Sequence, residues 1–440
     1  MAGLAMLLAY GSYAQTTDAL LDKLVQKGIL TVQEAKDLRG ESDKGFSTAI
    51  DSKLGLPDWV TALKLNGDLR MRYEMFNSPN KAFVERDRVR YRLRFGFTAE
   101  LIDDFEVGFR FSSGDPSGSF GGSPLSANST FQDNGSRKML YIDEAYIKWS
   151  PFKGPNFTGS YTIGKQENPF MVSELVFDPD YMPEGFGTRM GYAFNDKQAV
   201  KFNGGIFMLD ELSDTTKDPM LLGAQMRWDA KWGQRLQTSF GVAGLMIMDS
   251  ENLTNSLVPN VNRGNTLNFD GTPRYKFQDW TVDGSIIYYL DSAPLYAGKF
   301  PIRLSADYIQ NAAAPHSAGN YGYSVTAALG KAGKRNTWEL SYSYRYLGAN
   351  AWWEELEDDD FGAFYAGANT PPNSGMNIGY GSGTNVRGHI GKFAYSPTDF
   401  LTFSVKVFIT DLINTFPASF PATSDQSDMT RVQVDAMWVF

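Results

Sequence analysis

The chain has 440 residues, 41 Lys and Arg against 50 Asp and Glu for a formal charge of −9, two histidines and no cysteine. That balance argues against a nucleic-acid partner, and the missing cysteines exclude a disulfide framework and weigh against a zinc site. A mean hydropathy of −0.32, with no apolar run beyond the N-terminus, excludes helical membrane spans, which need about 20 apolar residues each.

The first segment, Met1 to Tyr10, is apolar and leads into Ser12-Tyr13-Ala14, a small-x-small site, so residues 1–14 read as a secretory signal cleaved after Ala14; a buried first helix is the other reading. Asp18 to Gly28 carries apolar residues at helical spacing and ends on a glycine suited to a C-terminal cap, and Thr31-Val32-Gln33-Glu34 has the pattern of a capping box. Residues 15–58 are therefore expected to form a periplasmic helical hairpin with a polar connector, either an attachment or trimerisation element or a solvated appendage.

From about residue 59 to Phe440 the period changes to two. Leu63, Leu65, Leu69, Met71, Tyr73 and Met75 alternate with Lys64, Asn66, Asp68, Arg70, Arg72 and Glu74. Next, Arg86 to Phe97 sets Arg88, Arg90, Arg92 and Arg94 against Val89, Tyr91, Leu93 and Phe95. Successive side chains of a strand point to opposite faces, so one face is a row of guanidiniums and the other an apolar band. A sheet with hydrocarbon on one side and charged water on the other fits the wall of a transmembrane barrel. Further strands are expected at Phe105–Phe111, Leu140–Trp149, Phe157–Lys165, Gly187–Phe194, Ala199–Leu209, Met220–Trp228, Leu236–Met246, Trp280–Leu290, Ile302–Ile309, Tyr321–Leu329, Trp338–Tyr346, Val386–Tyr395, Leu401–Ile409 and Arg431–Phe440. Alternation is weakest at Gly187 and Val386. Connections are alternately short, as at Asp103-Asp104, and long, as from Gly114 to Arg137, which is the sidedness of an outer-membrane barrel. The fold class is all-β: an antiparallel up-and-down β-barrel of about sixteen strands with both chain ends on the periplasmic side. A soluble sandwich or propeller would also alternate, but it would not end on Val432, Val434, Ala436, Trp438 and Phe440 sharing one face.

The fifth strand runs into Gly164-Lys165-Gln166-Glu167-Asn168-Pro169-Phe170, followed by Phe177-Asp178-Pro179-Asp180 and Pro183-Glu184-Gly185. Here the sequence resembles the putative porin family of Gram-negative outer membranes, with proline between the two aspartates as a departure. The resemblance implies a general-porin-like barrel whose third loop, about residues 166–186, folds inward. It further implies passive diffusion of small hydrophilic solutes and ions, a homotrimer, contact with outer-membrane lipid and lipopolysaccharide, and a terminal signal, Trp438 and Phe440, read by the barrel-assembly machinery. On that expectation the constriction opposes loop acids Glu167, Glu174, Asp178, Asp180 and Glu184 to a basic ladder of Arg70, Arg72, Arg88, Arg90, Arg92, Arg94 and Arg110. The competing reading of the ladder is a set of wall ion pairs with Asp68, Glu74, Glu100 and Glu106.

A second acidic run, Glu354, Glu355, Glu357, Asp358, Asp359 and Asp360, falls in the seventh long loop; its spacing matches no calcium-binding loop, and a solvated surface run is expected over a divalent-cation cradle. His316 and His389 have no Ser or Asp partner at motif spacing, so no enzyme, cofactor or metal is expected. The alternatives are an outer-membrane hydrolase, or a structural anchor tethered to peptidoglycan through the N-terminal hairpin.

Overall fold

The computed structural model describes residues 56–79, 85–116, 121–253, 264–362, 383–414 and 427–440; the expected signal and helical hairpin lie outside them. The chain divides into two units, residues 1–63 with 99–102 and residues 64–98 with 103–440. In the first, Thr61 Oγ1 donates to the Glu100 carbonyl (3.1 Å) and Ile102 N–H to the Trp59 carbonyl (3.0 Å).

The strands are β1 (Val60–Asn77), β2 (Arg86–Leu101), β3 (Phe105–Gly114), β4 (Ser129–Thr130), β5 (Met139–Lys153), β6 (Phe157–Lys165), β7 (Glu184–Asn195), β8 (Gln198–Met208), β9 (Met220–Lys231), β10 (Leu236–Met248), β11 (Phe277–Leu290), β12 (Phe300–Asn311), β13 (Tyr321–Gly330), β14 (Thr337–Leu347), β15 (Val386–Ser396), β16 (Leu401–Leu412) and β17 (Met429–Val439). The two-residue β4 belongs to the second long loop, where Arg90 and Tyr91 pair with Thr130 and Ser129. The other sixteen form the wall of a closed antiparallel barrel, and each coincides with an expected strand. Both weakly patterned strands, β7 and β15, are present. β1 closes the sheet against β17 in a register running from Asp68↔Val439 to Asn77↔Thr430. Gly67 and Phe440 extend it with reciprocal backbone hydrogen bonds of 2.9 and 3.0 Å.

Period-two patterning explains the wall. Leu65, Phe97, Ile147, Leu304, Leu340 and Phe403 are exposed on the outer face, while Arg88, Arg90, Arg92 and Arg94 of β2 turn inward and are half-buried or buried. Closure satisfies the backbone of every wall strand on both sides, the condition for crossing hydrocarbon. No helix among the described residues is long and apolar enough to cross a membrane.

The lumen carries its own apolar packing. Phe170, Leu175, Val176, Phe177 and Tyr181 of the third loop meet Ala351, Trp352, Trp353 and Leu356 of the seventh, and both pack on inward residues of β8 to β12 and β14: Phe207, Leu221, Leu245, Ile247, Phe277, Ile309 and Leu347. Phe177 stacks on Tyr181 with ring centroids 5.8 Å apart and meets Trp352 edge-on at 5.8 Å. The seventh-loop acidic run therefore corrects the sequence expectation of a solvated surface: Glu354, Glu355, Glu357 and Asp358 are buried. Burial of the neighbouring tryptophans carries them inside, where Arg345 meets Asp358 at 2.8 Å and the Asn265 N–H donates to Glu354 at 2.6 Å.

Candidate channel constriction

The third loop leaves the wall at a backbone that glycine permits. Gly164 has φ +119°, and a Cβ there would lie 2.3 Å from the Ala145 carbonyl oxygen. Beyond it the Gln166 side chain donates to the carbonyls of Thr162 (3.3 Å) and Gly185 (3.1 Å), tying the two stems of the loop together. Asn168 Oδ1 then accepts the Phe170 N–H at 3.0 Å, and Phe170 stacks on Phe177 at 6.0 Å, which turns the chain into the lumen. At the tip Asp178 Oδ1 accepts the Asp180 N–H at 2.6 Å, an Asx-type turn that aims the Asp180 carboxylate back at the wall.

Asp180 reaches the ladder. Its Oδ1 lies 2.9 Å from Arg92 Nη1 and 3.3 Å from Arg94 Nη1, and both arginines also share Asp68 on the wall, at 2.9 and 2.7 Å. Arg72 forks onto Asp435 (2.8 and 2.9 Å) and approaches Asp360 at 3.2 Å. Arg88 pairs with Glu74, and Arg90 lies 3.8 Å from Glu74 and 3.9 Å from Asp115. Arg70 donates to Asn128 Oδ1 at 2.8 Å, and Arg110 contacts Asp143 and Glu144 at 2.5 and 2.6 Å. Wall acids and loop acids thus share the ladder; Asp68 and Glu74 belong to it, whereas Glu106 goes to Lys148 at 3.6 Å.

Of the other named loop acids, Glu174 sits 3.2 Å from Arg345 and 3.5 Å from Lys406. Glu184 is the first residue of β7 and pairs with Lys165 at 3.0 Å, and Glu167 lies 3.9 Å from Arg189, so neither is brought to the ladder. Asp178 faces the seventh loop: its N–H donates to the Leu356 carbonyl at 2.8 Å and its Oδ2 accepts the Asp359 N–H at 2.9 Å. Carboxylate oxygens of Asp178, Asp358 and Asp359 lie within 4.8 Å of one another. Those of Asp178 and Asp358 are engaged by backbone N–H groups and, for Asp358, by Arg345 at 2.8 Å.

Burial and charge pull these loop acids in opposite directions. Burial and the neighbouring carboxylates Asp359, Asp180 and Asp358 push Asp178 well above the usual carboxylate range. Burial acts the same way on Asp180 and Asp360, but Arg92 and Arg94 outweigh it at the first, and Arg431 and Arg72 at the second, so both are held below the ordinary value. Lys406, then Arg345, hold Glu174 down to about 2, although 43% of its side chain stays open to the lumen.

Three cations escaped the sequence reading. Arg345, Lys406 and Arg431 each stand alone on their strands, and barrel closure and loop packing give them partners. The parity of the last strand was the available signal, since Arg431, Gln433 and Asp435 share the face opposite Val432 and Val434. Between the second, third, fourth, fifth and seventh loops lies a cavity of about 1310 Å³, bordered by Asp143, Asp180, Glu184, Asp210, Trp353 and Leu356 among others. The two histidines lie apart: His316 stacks on Tyr321 at 4.9 Å, and His389 Nδ1 is 2.7 Å from the Tyr342 hydroxyl.

Among solved structures, the outer membrane channel DcaP of Acinetobacter baumannii is similar at 13% identity, covering 86% of this chain and 97% of that one with a TM-score of 0.43. OprB of Pseudomonas putida aligns at 10% identity over 86% and 94% with a TM-score of 0.49. A triple mutant of Rhodopseudomonas blastica porin aligns at 8% identity over 86% and 100% with a TM-score of 0.42. No curated protein is similar enough in sequence to be matched. The family described as Putative porin matches residues 78–245, a span that runs from the arginine strand through the inward third loop to β10. That match covers less than half of the chain: the matched span is similar to the putative porin family, and the wall around it is a closed antiparallel barrel of sixteen strands.

Proposed function

We propose that the barrel allows passive diffusion of small hydrophilic solutes and ions through a constriction where loop acids meet the basic ladder. The observation that carries this reading is Asp180: its loop is anchored by apolar side chains on β8 to β12 and β14, and its carboxylate contacts Arg92 and Arg94 on β2. Apolar anchorage on one wall and charge on the other leave a narrow polar passage whose field acts across the path. Such a field orders water and disfavours apolar solutes, while polar solutes align with it. On this reading the protein is a diffusion channel and not an enzyme, and by likeness of architecture it works as a homotrimer in the outer membrane. Purified protein added to a planar lipid bilayer should give discrete ohmic current steps. A silent bilayer, with incorporation verified, sinks the proposal.

A further inference from the structure

We infer that Asp360, on the seventh loop, is a selectivity-determining residue of the channel, fixing the charge that the ladder presents to passing ions. The inference rests on the charged constriction proposed above and adds to it an element from outside the third loop.

Asp360 is one of the carboxylates that meet the arginines around the seam of β1, β2 and β17. Arg72, Arg88, Arg90 and Arg431 supply positive charges. Glu74, Asp115 and Asp435 supply negative ones from the wall and the second loop. Asp360 joins them: its Oδ1 lies 2.5 Å from Arg431 Nη2 and its Oδ2 3.2 Å from Arg72 Nη1. Its backbone carbonyl also accepts from Arg431 Nη1 at 2.8 Å. The side chain keeps 17% of its surface accessible, so it is partly in reach of the aqueous lumen.

The position of Asp360 is set by neighbours on the other side of the loop. Its N–H donates to Asp358 Oδ1 at 3.0 Å, and Asp358 is held by Arg345 at 2.8 Å. The same Arg345 guanidinium covers the ring of buried Phe361 at 4.6 Å. Trp352 and Trp353 lock the preceding turn into the apolar cluster. A carboxylate held on a packed support keeps a fixed geometry, which a free loop acid would not. Losing it removes one negative charge from beside Arg72 and Arg431, so anions should enter more readily and cations less.

The experiment is the reversal potential in a potassium chloride gradient across a planar bilayer. Asp360→Asn should raise the anion-to-cation permeability ratio by roughly twofold or more, and Asp360→Glu should stay near the parent. Because the chain has no cysteine, Asp360→Cys gives a single labelling position. A sulfonate-bearing thiosulfonate should return the ratio toward the parent, and an ammonium-bearing one should push it further toward anions. A shift that ignores the sign of the added charge, or that Asp360→Glu shares with Asp360→Asn, marks a purely structural role and overturns the inference. If every Asp360 form matches the parent while Arg90→Ala with Arg92→Ala still changes selectivity, Asp360 is excluded and the charged constriction stands. If neither set moves the potential, the charged constriction itself falls.

Discussion

Arg92 shows why the ladder cannot be a bare row of cations. Same-face residues of a strand are about 6.7 Å apart, so two neighbouring guanidiniums repel by roughly 2 kcal/mol at an effective dielectric near 20. Asp68 and Asp180 offset that cost from opposite sides of Arg92, at 2.9 Å each. Removing two cations while the acids remain should reverse the local balance. Arg90→Ala with Arg92→Ala is therefore expected to shift the reversal potential toward cations, and an unchanged potential would take the ladder out of the conduction path. The loop acids add a pH dependence whose sign follows from their shifts. Glu174, Asp180 and Asp360 are held below the ordinary carboxylate value, so their contribution to loop packing is present above pH about 4.5 and is lost as pH falls toward about 2, the value for Glu174. Asp178 is shifted upward, so its contribution is complete below pH about 4 and is lost as pH rises through its elevated value. The three depressed carboxylates should therefore give conductance an acid transition below about pH 4, separate from any change at the elevated value of Asp178. Glu174→Gln, which abolishes one of these titrations while leaving Lys406 and Arg345 facing an amide, should soften that acid transition.

At the level of the element, the third loop works as an arm hinged on glycine. Gly164→Ala combines φ +119° with a Cβ only 2.3 Å from a backbone oxygen, a contact no rotamer relieves. It should destabilise the loop stem by at least about 1 kcal/mol. Loss of protease protection in the third loop, with the barrel itself intact on a heat-modifiability gel, would show it; equal protection in both forms would remove the hinge. This arm was legible in the sequence because its pieces are local: Gly164, Gln166, Asn168 and the Asp178-Pro179-Asp180 tip lie within a stretch of seventeen residues. The seventh loop was not. Glu354 to Asp360 reads as a solvated run because its compensating cations, Arg345, Arg431 and Arg72, sit on β14, β17 and β1, and Asp360 and Arg72 are separated by 288 positions in the chain. Trp352 and Trp353 just before the run were the overlooked signal, since two adjacent large apolar rings in an acidic loop seldom both face water.

At the scale of the whole barrel, one seam joins the first wall strand to the last. Strand positions and parity followed from period-two patterning, but nothing local specifies that Arg72 meets Asp435 or that Glu74 meets Gln433; that register comes from closure. The seam ends at Gly67 and Phe440, where two roles for the terminal aromatic can be separated. A Cβ at Gly67 would fall 2.6 Å from the Arg94 carbonyl oxygen and 2.6 Å from the Phe440 ring, so the ring lies across the glycine on the outer face. Gly67→Val must push β1 from β2 or expel the ring, at a cost of about 1–3 kcal/mol for overpacking. It should lower the temperature at which purified barrel unfolds on a gel. Phe440→Ala removes a ring that is 60% exposed yet leaves the backbone exchange with Gly67 available. If Phe440 is read by the assembly machinery, this variant should reach the outer membrane in reduced amount and yet unfold near the parent temperature once assembled. A normal amount of Phe440→Ala in the membrane, with a lowered unfolding temperature, would instead make the ring a structural plug of the seam and remove its role as a signal.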